Sequence, residues 1–427
     1  MNLLYHRFTA IAATSAASSL LCLSTEAGGI QLYEIGTPDV GLASAGWAAR
    51  AQDASTLFKN PAGMSLLSGV QLEAGVQLLY GDVSFSPDSN TSSRLGTDGG
   101  GNAIGALPGM SLFYVHPLGD KWRIGFGTLS YFGLATQYDP NWVGRYYSQK
   151  GALVGVSLLP SVSYQVNDWL SVGAGLNAMY GYFDADVAVN NLNPFIGDGQ
   201  MTATDRTWGF GADVGILIQA SETTRFGLNY LSPVELDFKA TPTFSNIGRG
   251  LAGVLANPSP LDLGLTAPQS MMASVYHQLN DRLGLMADFG WQNWEAFGQP
   301  QIGVGSEDPT VLTTDLNYQN TFHGAVGAQY QLSTEWLLTS GIAYDSSAVS
   351  DGDRTVTVPM GSALRVGVGI QWQVSRSISL GAAYEFMWGG DLSVDQGSDA
   401  DLFRGRVAGA YEDTSFSIVA LTLNWKL

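Results

Sequence analysis

The chain has 427 residues, and its 37 acidic side chains outnumber the 19 basic ones, which gives a formal net charge of −18 at pH 7. A chain this acidic is unsuited to nucleic acid, because the phosphate backbone repels it. Cys22 is the only cysteine, which excludes a disulfide scaffold and a cysteine-ligated metal site.

The first 27 residues have the features of an export signal. Arg7 supplies a positive start, Phe8–Leu23 is apolar and rich in Ala and Ser, and Ala27 is a small residue at a suitable cleavage position. A retained membrane helix is the alternative, but the segment is short and weakly apolar for that role. A lipoprotein anchor at Cys22 is less suitable still, because the bulky Leu21 precedes it.

Residues 28–67 do not alternate as a strand does. The stretch Gly41–Phe58 is rich in Ala and other small residues, and Pro61 then turns the chain, because it fixes its own φ and biases Asn60 away from helix. We call residues 28–67 the hatch, because a segment of this size fills the bore of a barrel. A periplasmic linker is the alternative, but linkers are usually more polar than a segment carrying Trp47 and Phe58.

From residue 68 to residue 427, alternating apolar strands are joined in pairs by very short polar turns, and long Gly-rich segments separate the pairs. Short turns on one side and long loops on the other are typical of an outer-membrane β-barrel. The six turns lie at residues 116–121, 165–168, 219–224, 278–281, 331–335 and 373–376. Six turns join twelve strands, and one further strand at each end gives an all-β, fourteen-stranded antiparallel transmembrane barrel.

The predicted strands are Val70–Phe85, Gly109–His116, Trp122–Gly133, Ala152–Gln165, Trp169–Asp186, Thr207–Gln219, Arg225–Lys239, Ser270–Leu279, Arg282–Trp294, Asn317–Leu332, Trp336–Ser346, Ala363–Val374, Ser377–Trp388 and Ser415–Leu427. In the thirteenth, every second residue from Ile378 to Trp388 is apolar, and a fully apolar face with period 2 faces lipid. A soluble sandwich would instead turn its polar face outward. No segment after the signal offers the roughly 20 apolar residues of a membrane helix, so only a closed barrel pairs every backbone group in lipid.

Three further features complete the barrel prediction. Aromatic residues at strand ends, such as Trp122 and Trp169, belong in the girdles at the membrane boundary. The last strand resembles the signal read by the barrel-assembly machinery, although it ends in Leu427 where Phe is usual. With both termini periplasmic, all seven long loops are extracellular, and the fourth, Ala240–Gln269, is unusually apolar for a solvated loop.

Ten short segments spread along the chain match the motifs of a known family. They are Gly29–Glu34, Gly46–Thr56, Asn60–Gly63, Phe132–Leu134, Trp142–Tyr146, Pro160–Tyr164, Trp208–Gly211, Gly227–Val234, Tyr276–Asn280 and Asn293–Trp294. The most specific are those in the hatch and the Trp-Val-Gly-Arg-Tyr run. In these segments, which span essentially the whole mature chain, the sequence resembles the FadL family, which also includes TodX-type proteins.

The resemblance implies passive uptake of hydrophobic small molecules, such as long-chain fatty acids or aromatic hydrocarbons, with no cofactor and no covalent chemistry. The ligand is captured between extracellular loops, moves to an interior apolar site, and leaves sideways into outer-membrane lipid through a gap beside a kinked third strand. By resemblance, Asn60, Pro61 and Ala62 take the hatch positions beside that gap. We expect a monomer.

Candidate ligand contacts come from two sources. The segments that carry the resemblance contribute Phe132, Leu134, Trp142 and Arg145, and strand parity places Phe183, Leu217 and Met387 on the lumen face. A register error of one residue would reverse the parity assignments.

Pro160 is a candidate gate residue, because a proline inside a strand cannot donate a ladder hydrogen bond. We expect it to weaken the pairing of the fourth strand with the third and so help to form the gap. The alternative is a tolerated irregularity near the barrel rim.

The charged residues leave the substrate open. Arg145, Lys150, Lys239 and Arg365 would suit a fatty-acid carboxylate, but pairing with acidic loop residues is an equally direct reason for them. Asp391, Asp395, Asp399 and Asp401 lack the spacing of a calcium loop, and Gly96–Asn102 lacks the Lys-Ser/Thr of a phosphate loop, so we predict no metal or nucleotide.

An outer-membrane hydrolase is the enzymatic alternative, but nothing near His116, His277 or His323 forms a recognisable nucleophile motif, so we predict no catalytic residues. A general aqueous porin would need a charged, unplugged constriction, whereas only 13% of this chain is charged. A larger energy-coupled receptor needs more strands than this length supplies.

Overall fold

The computed structural model describes residues 28–427 except 194, 254, 256, 257, 259, 298, 301–312, 315 and 316. The predicted export signal at residues 1–27 lies outside the described residues. Within the part of the chain that is described, no helix is long and apolar enough to cross a membrane.

Fourteen antiparallel strands form a closed barrel in the described part of the chain. Each strand pairs with the next, and the last pairs with the first. The strands are β1 Gln71–Asp82, β2 Gly105–Leu118, β3 Trp122–Gln137, β4 Lys150–Gln165, β5 Leu170–Val189, β6 Gly199–Gln219, β7 Thr224–Leu231, β8 Ser270–Gln278, β9 Leu283–Gln292, β10 Thr321–Gln331, β11 Trp336–Asp345, β12 Ala363–Gln373, β13 Ile378–Gln396 and β14 Val407–Lys426. The predicted number of strands and their pairing order are confirmed.

The seventh strand is shorter than the sequence pattern predicts. It ends at Leu231 instead of Lys239, because Ser232-Pro233 breaks it and a proline cannot continue the ladder. The following residues, Val234–Ala240, pair with Leu261–Ala267 as a separate hairpin. We call it the inner hairpin, since it packs against the lumen face of β5 and β6.

The last two strands run further out than expected. The sequence pattern places a loop at Gly389–Thr414, whereas β13 continues to Gln396 and β14 begins at Val407. The ladder between them shifts register on either side of Gly390, so a strict alternation cannot be followed through this stretch.

The outer wall is apolar and carries exposed aromatic rings. Trp122 and Trp169 near the short turns are 49% and 54% exposed, and Trp208 and Trp388, about half-way along the long strands β6 and β13, are each 50% exposed. Exposed rings of this kind are typical of the boundaries of a membrane. The parity prediction for Phe183, Leu217 and Met387 agrees with the burial of all three side chains.

The hatch fills the lumen with three short helical segments: α1 Thr37–Gly41, α2 Thr56–Lys59 and a 3-10 helix at Pro61–Leu66. Its backbone approaches the wall where the strands carry lumen-facing glycines, which we call the glycine belt. A Cβ at Gly327, for example, would lie 2.8 Å from the Cβ of Ala45. The belt comprises Gly125, Gly127, Gly173, Gly215, Gly227, Gly327, Gly341, Gly367, Gly369 and Gly381.

Buried ion pairs fix the hatch internally. The ammonium of Lys59 lies 2.7 Å from Asp39 and 3.7 Å from Asp53, and Arg50 lies 2.6 Å from Asp53. Burial lowers the pKa of Lys59, but the carboxylates of Asp39 and Asp53 outweigh this effect, and the net shift of that pKa is upward. Lys59 is therefore a cation at neutral pH, held by two carboxylates.

A second ion cluster joins the hatch to the wall. Arg365 of β12 pairs with Glu34 of the hatch, with Asp345 of β11 at 2.6 Å and with Glu385 of β13 at 3.6 Å. One guanidinium thus serves three carboxylates. A charge buried in this way needs its partners, because removing one side of a buried pair leaves the other uncompensated.

Candidate functional site

The wall of the barrel is interrupted between β2 and β3. Among the described residues, the ladder between these strands stops where Ser111 faces Leu129. Above that point β3 turns to a different partner, the short strand Gly28–Gln31 at the start of the hatch, which pairs with Phe132 and Leu134. The upper half of β2 therefore borders a gap in the wall.

An irregularity in β3 accompanies the gap. On its other side, β3 pairs with β4, and Ser130 and Phe132 face the consecutive residues Val156 and Gly155. Tyr131 is thus one residue too many for the ladder, as in a β-bulge, which bends the strand that carries it. The resemblance implied a kinked third strand, and the bulge at Tyr131 provides the bend.

The proline that borders the gap is Pro108, not Pro160. Pro108 lies in the upper stretch of β2, where it faces Leu78 of β1 but has no partner on the side of β3. Prolines in sheets are found at such edges. The sequence pattern placed it in a loop. Pro160 faces Phe126 in an intact ladder with β3. The ladder that is interrupted at Pro160 is the one with β5, in which Leu158 and Ser161 are the nearest paired residues on either side. Our expectation that Pro160 weakens the pairing with β3 is therefore wrong.

The three motif residues of the hatch lie against β5 and β6. Asn60 is fully buried, and its Nδ2 donates to the carbonyls of Ala48 at 2.7 Å and Ile216 at 3.0 Å, while its Oδ1 accepts from the N–H of Ala62 at 3.1 Å. Pro61 and Ala62 press against the wall at Gly173. We expected all three beside the gap. The side chain in this part of the hatch that contacts the bulge is Phe58, whose ring centroid lies 4.8 Å from that of Tyr131.

Two chains of aromatic rings lead to the irregular part of β3. From the hatch, the rings of Tyr33, Trp47 and Phe58 follow one another at 5.2 and 6.0 Å and end on Tyr131. From the fifth long loop, residues 293–320, the ring of Phe297 contacts Phe132 at 6.3 Å.

Behind Phe297, further rings extend the second chain. Tyr318 and Trp294 lie 5.6 and 5.4 Å from Phe297. All these rings belong to one buried apolar cluster, which also contains the inner hairpin. We call this cluster the apolar path, because it runs from the extracellular loops past the hatch to the gap.

A small cavity lies within the apolar path, at the outer ends of β7 and β8. Its volume is about 20 Å³, which is space for one or two water molecules. The lining combines apolar side chains with a few neutral polar ones: Gln31, Leu32, Tyr33, Trp47, Phe58, Asn229, Leu231, Ser270, Met271 and Met272. A long ligand enters only if these side chains move, and the two methionines are flexible enough to do so.

The predicted ligand contacts are not gathered at this cavity. Phe132, Leu134 and Phe183 lie in or against the apolar path, where Phe183 contacts Phe238 of the inner hairpin at 5.7 Å. Leu217 packs instead on the hatch residues Ala51 and Ala62, and Met387 belongs to a second cluster around β13 and β14. None of the seven candidates lines the cavity.

Trp142 and Arg145 hold the second long loop, residues 138–149, in place. The indole of Trp142 stacks on Tyr138 at 3.7 Å, and its Nε1 donates to the carbonyl of Ser148 at 2.7 Å. The guanidinium of Arg145 pairs with Asp198 at 2.9 Å. Burial raises the pKa of the neighbouring Tyr146 to about 12, so this loop stays uncharged at its phenol.

The other candidate cations differ in their surroundings. Lys150 pairs with Asp184 at 2.9 Å, and Arg365 pairs with three carboxylates. The side chain of Lys239, on the inner hairpin, is exposed. None of these residues lines the cavity.

The structure brings together three residues in the spacing of a catalytic triad. The Oγ of Ser44 lies 2.9 Å from Nε2 of His323, and Nδ1 of His323 lies 2.7 Å from Asp345. The two N–H groups nearest the hydroxyl are already paired, that of Ser44 with Asp39 and that of Ala45 with Leu42. Ser44 and His323 are buried, and the two N–H groups that could serve an oxyanion are occupied. The three residues are therefore not arranged for catalysis, and their hydrogen bonds join the hatch to the wall.

Cavity residues that sequence reasoning missed carried a weak signal. Asn229 and Leu231 lie in a segment that resembles the family, and Tyr33, Trp47 and Phe58 lie in the hatch. Their meeting depends on how the hatch is folded, and no local pattern encodes that.

Comparisons with known proteins agree on the family. The family model described as outer membrane protein transport protein (OMPP1/FadL/TodX) matches residues 18–426. Outer membrane protein P1 of Haemophilus influenzae is 28% identical over 403 residues, covering 85% of this chain and 86% of that protein. The long-chain fatty acid transport protein of Escherichia coli O6:H1 is 25% identical over 420 residues, covering 91% and 93%.

Solved structures share the fold. A Pseudomonas aeruginosa FadL homologue superimposes with a TM-score of 0.84 at 21% identity, covering 93% of this chain and all of that one. The toluene transporter TodX of Pseudomonas putida gives a TM-score of 0.65 at 16% identity, covering 93% and 99%. With a family match along nearly its whole length and a plugged fourteen-stranded barrel, the chain belongs to the OMPP1/FadL/TodX family of outer-membrane channels and is a transporter of hydrophobic substrates, not an enzyme.

Proposed function

We propose that this channel takes up long-chain fatty acids, which enter among the extracellular loops, follow the apolar path and leave sideways through the gap between β2 and β3. The observation that carries the proposal is the pair of ring chains that end on Tyr131 and Phe132, the two residues at the bend of β3. The relatives in Escherichia coli that are named long-chain fatty acid transport proteins support this choice of substrate.

The physics of the outer membrane favours a sideways exit. An apolar solute gains free energy by leaving water, but the polar surface of the outer leaflet stands between it and the hydrocarbon. A path with apolar walls that opens into the membrane below that surface delivers the solute without a passage through periplasmic water. The upper part of β2, which borders the gap, lies at a height where the neighbouring strand β1 is still paired with β14.

The described arrangement is a closed state of this path. The cavity of about 20 Å³ is far smaller than a fatty acid. Phe58 separates the cavity from the bulge, since it lines the one and contacts Tyr131 of the other. Movement of this side chain, or of the hatch that carries it, would connect the cavity with the gap.

Neutral aromatic hydrocarbons are the second candidate substrate. The rings of Tyr33, Trp47 and Phe58 at the cavity favour it, because aromatic ligands pack well on aromatic walls. A solved neighbour that is named a toluene transporter shares the fold.

A reversible cross-link across the gap tests the exit route. Met110 of β2 and Ser130 of β3 lie beyond the last paired residues, on either side of the gap. Both are replaced by cysteine, and a reducible bifunctional thiol reagent joins them. Because Cys22 lies in the predicted signal, the mature chain offers no competing thiol. The matched control joins Leu112 and Thr128, which already face each other in the intact ladder.

We expect the Met110–Ser130 cross-link to abolish uptake of labelled oleic acid into cells, with binding to the purified barrel retained, and reduction to restore uptake. The Leu112–Thr128 control is expected to transport normally. Normal uptake with the gap cross-linked would refute the lateral route. Competition by toluene in the same binding assay separates the two substrate classes.

A further inference from the structure

We propose that the cavity binds the head group of the ligand in an uncharged form that donates a hydrogen bond, such as a protonated carboxylic acid or an alcohol. The proposal rests on the proposed function and specifies the state in which a fatty acid is accepted. Asn229 and Gln31 are the residues that we assign to contact this head group.

The polar lining of the cavity offers carbonyl acceptors beside the hydroxyl groups of Tyr33 and Ser270. The amide nitrogen of Asn229 donates to Asp213 of β6 at 2.5 Å, which turns its Oδ1 away from that carboxyl group. Among the described residues, no other hydrogen bond of Asn229 occurs, so its Oδ1 accepts none. The Oε1 of Gln31 is also buried without a partner. Of these two carbonyl oxygens at one apolar cavity, that of Gln31 is buried without a donor, and a buried acceptor left unpaired costs free energy.

Buried acidic groups around the cavity disfavour an anionic head group. Asp213 is only 1% exposed. Asp288 of β9 is also buried, and its carboxyl group accepts a hydrogen bond from the backbone N–H of Trp47 at 3.0 Å. In the described part of the chain, the polar contact of Asp213 is with the neutral amide of Asn229. A carboxylate ligand would thus be buried near acidic groups and would lose its hydration without gaining a cation.

The cationic group that contacts the lining residue Tyr33 already has its own acidic partners. The guanidinium of Arg365 lies 5.4 Å from the ring centroid of Tyr33 and pairs with Glu34, Asp345 and Glu385. His323, whose ring centroid is 4.5 Å from that of Tyr33, is held by Asp345 at 2.7 Å. Three carboxylates for one guanidinium leave no positive charge for a ligand.

This chemistry has a measurable consequence for fatty acids. A carboxyl group is ordinarily ionised at neutral pH. If the cavity accepts only the protonated acid, the apparent dissociation constant equals the intrinsic one divided by the protonated fraction. Above the pKa of the ligand, the apparent constant then rises about tenfold for each pH unit. An alcohol of the same chain length has no such dependence.

The test measures binding of dodecanoic acid, dodecanol and methyl dodecanoate to the purified full-length barrel in detergent at pH 6, 7 and 8. Dodecanol donates a hydrogen bond, the methyl ester only accepts one, and the acid changes its charge. The alcohol also reports any titration of Asp213, Asp288 or His323, because it meets the same protein groups while staying neutral itself.

We expect dodecanol to bind about fivefold more tightly than the methyl ester, a ratio typical of one hydrogen bond. Binding of the acid should weaken about tenfold per pH unit, while binding of the alcohol stays level. Asn229→Leu should bring the alcohol down to the affinity of the ester and leave the ester unchanged. The control is Asn424→Leu, a half-buried position in β14 away from the cavity.

Two outcomes would overturn the inference: acid binding that does not depend on pH, or an ester that binds as tightly as the alcohol in the unmodified protein. If Asn229→Leu fails to give the compact folded band on an unheated gel, Gln31→Leu replaces it with the same expectation. If none of the three ligands binds saturably, the proposed function itself fails. Saturable binding in the wrong order refutes only the uncharged head group.

Discussion

Gly215 of β6 belongs to the glycine belt and faces Asn60, so Gly215→Ala tests how the hatch is held. A Cβ at this position would overlap the side-chain amide of Asn60 and would also lie 3.0 Å from the Cδ of Pro61. The wall cannot yield easily, because the backbone of β6 is paired on both sides. Asn60 must therefore shift.

The cost follows from the bonds that Asn60 makes. A shift strains or breaks its hydrogen bonds to Ala48, Ile216 and Ala62. Each such bond contributes about 1 kcal/mol, and an extra methyl group in a packed site costs about 1–3 kcal/mol. We expect the variant to lose about 2–4 kcal/mol of the free energy that keeps this part of the hatch closed. The equilibrium constant for local opening then rises roughly 30- to 700-fold.

Hydrogen exchange followed by mass spectrometry measures this quantity directly. The peptide covering residues 56–67 contains the N–H of Ala62, which Asn60 protects, and it should exchange faster in Gly215→Ala by the factor above. Gly324→Ala is the control, because a Cβ at Gly324 would meet no atom within 4 Å. Equal protection of the peptide in Gly215→Ala and the unmodified protein would refute the role of the glycine belt.

Three further changes test other parts of the structure. Arg365→Met should destabilise the barrel by about 3–5 kcal/mol, because it leaves buried carboxylates uncompensated, and should lower the temperature at which the folded band disappears on a gel; an unchanged temperature contradicts this. Trp142→Ala should expose the second long loop to protease through loss of its stack on Tyr138, with fatty-acid binding retained, and lost binding at an intact loop would make Trp142 a ligand contact. Pro160→Val should restore one donor to β4, raise the unfolding temperature slightly and leave uptake unchanged, whereas reduced uptake would return Pro160 to the gate.

The barrel was largely predictable because lipid imposes a simple rule. A strand that faces hydrocarbon must be apolar at every second position, and the strand Ala363–Gln373 follows that rule to its ends. The rule weakens where a strand leaves the membrane or where its inner face is also apolar. For this reason the sequence pattern placed the outer ends of β13 and β14 too early and continued β7 past Pro233.

Prolines and glycines carried signals that alternation alone does not read. Pro233 comes two residues after Leu231, the last residue of β7, and a proline there indicates the end of a strand. Gly367 and Gly369 alternate on the lumen face of β12, which indicates that another backbone comes close. Pro108 was harder to interpret, because only the observed pairing shows that it lies on a free strand edge and not in a loop.

The site depended on contacts that no local pattern encodes. Asn60 reaches the carbonyl of Ile216, 156 residues further along the chain, and Tyr33 reaches Gln292, 259 residues further along. Residue types in the hatch favoured burial, but they did not indicate which strands each residue would meet.

The hatch contacts β2 and β14, the two strands on either side of β1, and this position has a consequence for folding. The carbonyl of Ile35 accepts from Ser111 of β2 at 2.9 Å, and the N–H of Thr37 donates to Thr422 of β14 at 3.0 Å, across a separation of 385 residues. The hatch is synthesised before the barrel strands and is thus among the last parts to find its partners. Because β14 closes the cylinder onto β1, the hatch must be inside when the two ends of the sheet meet. Closure of the sheet and ordering of its contents are then a single late, cooperative event, and contacts of such long range make that event slow.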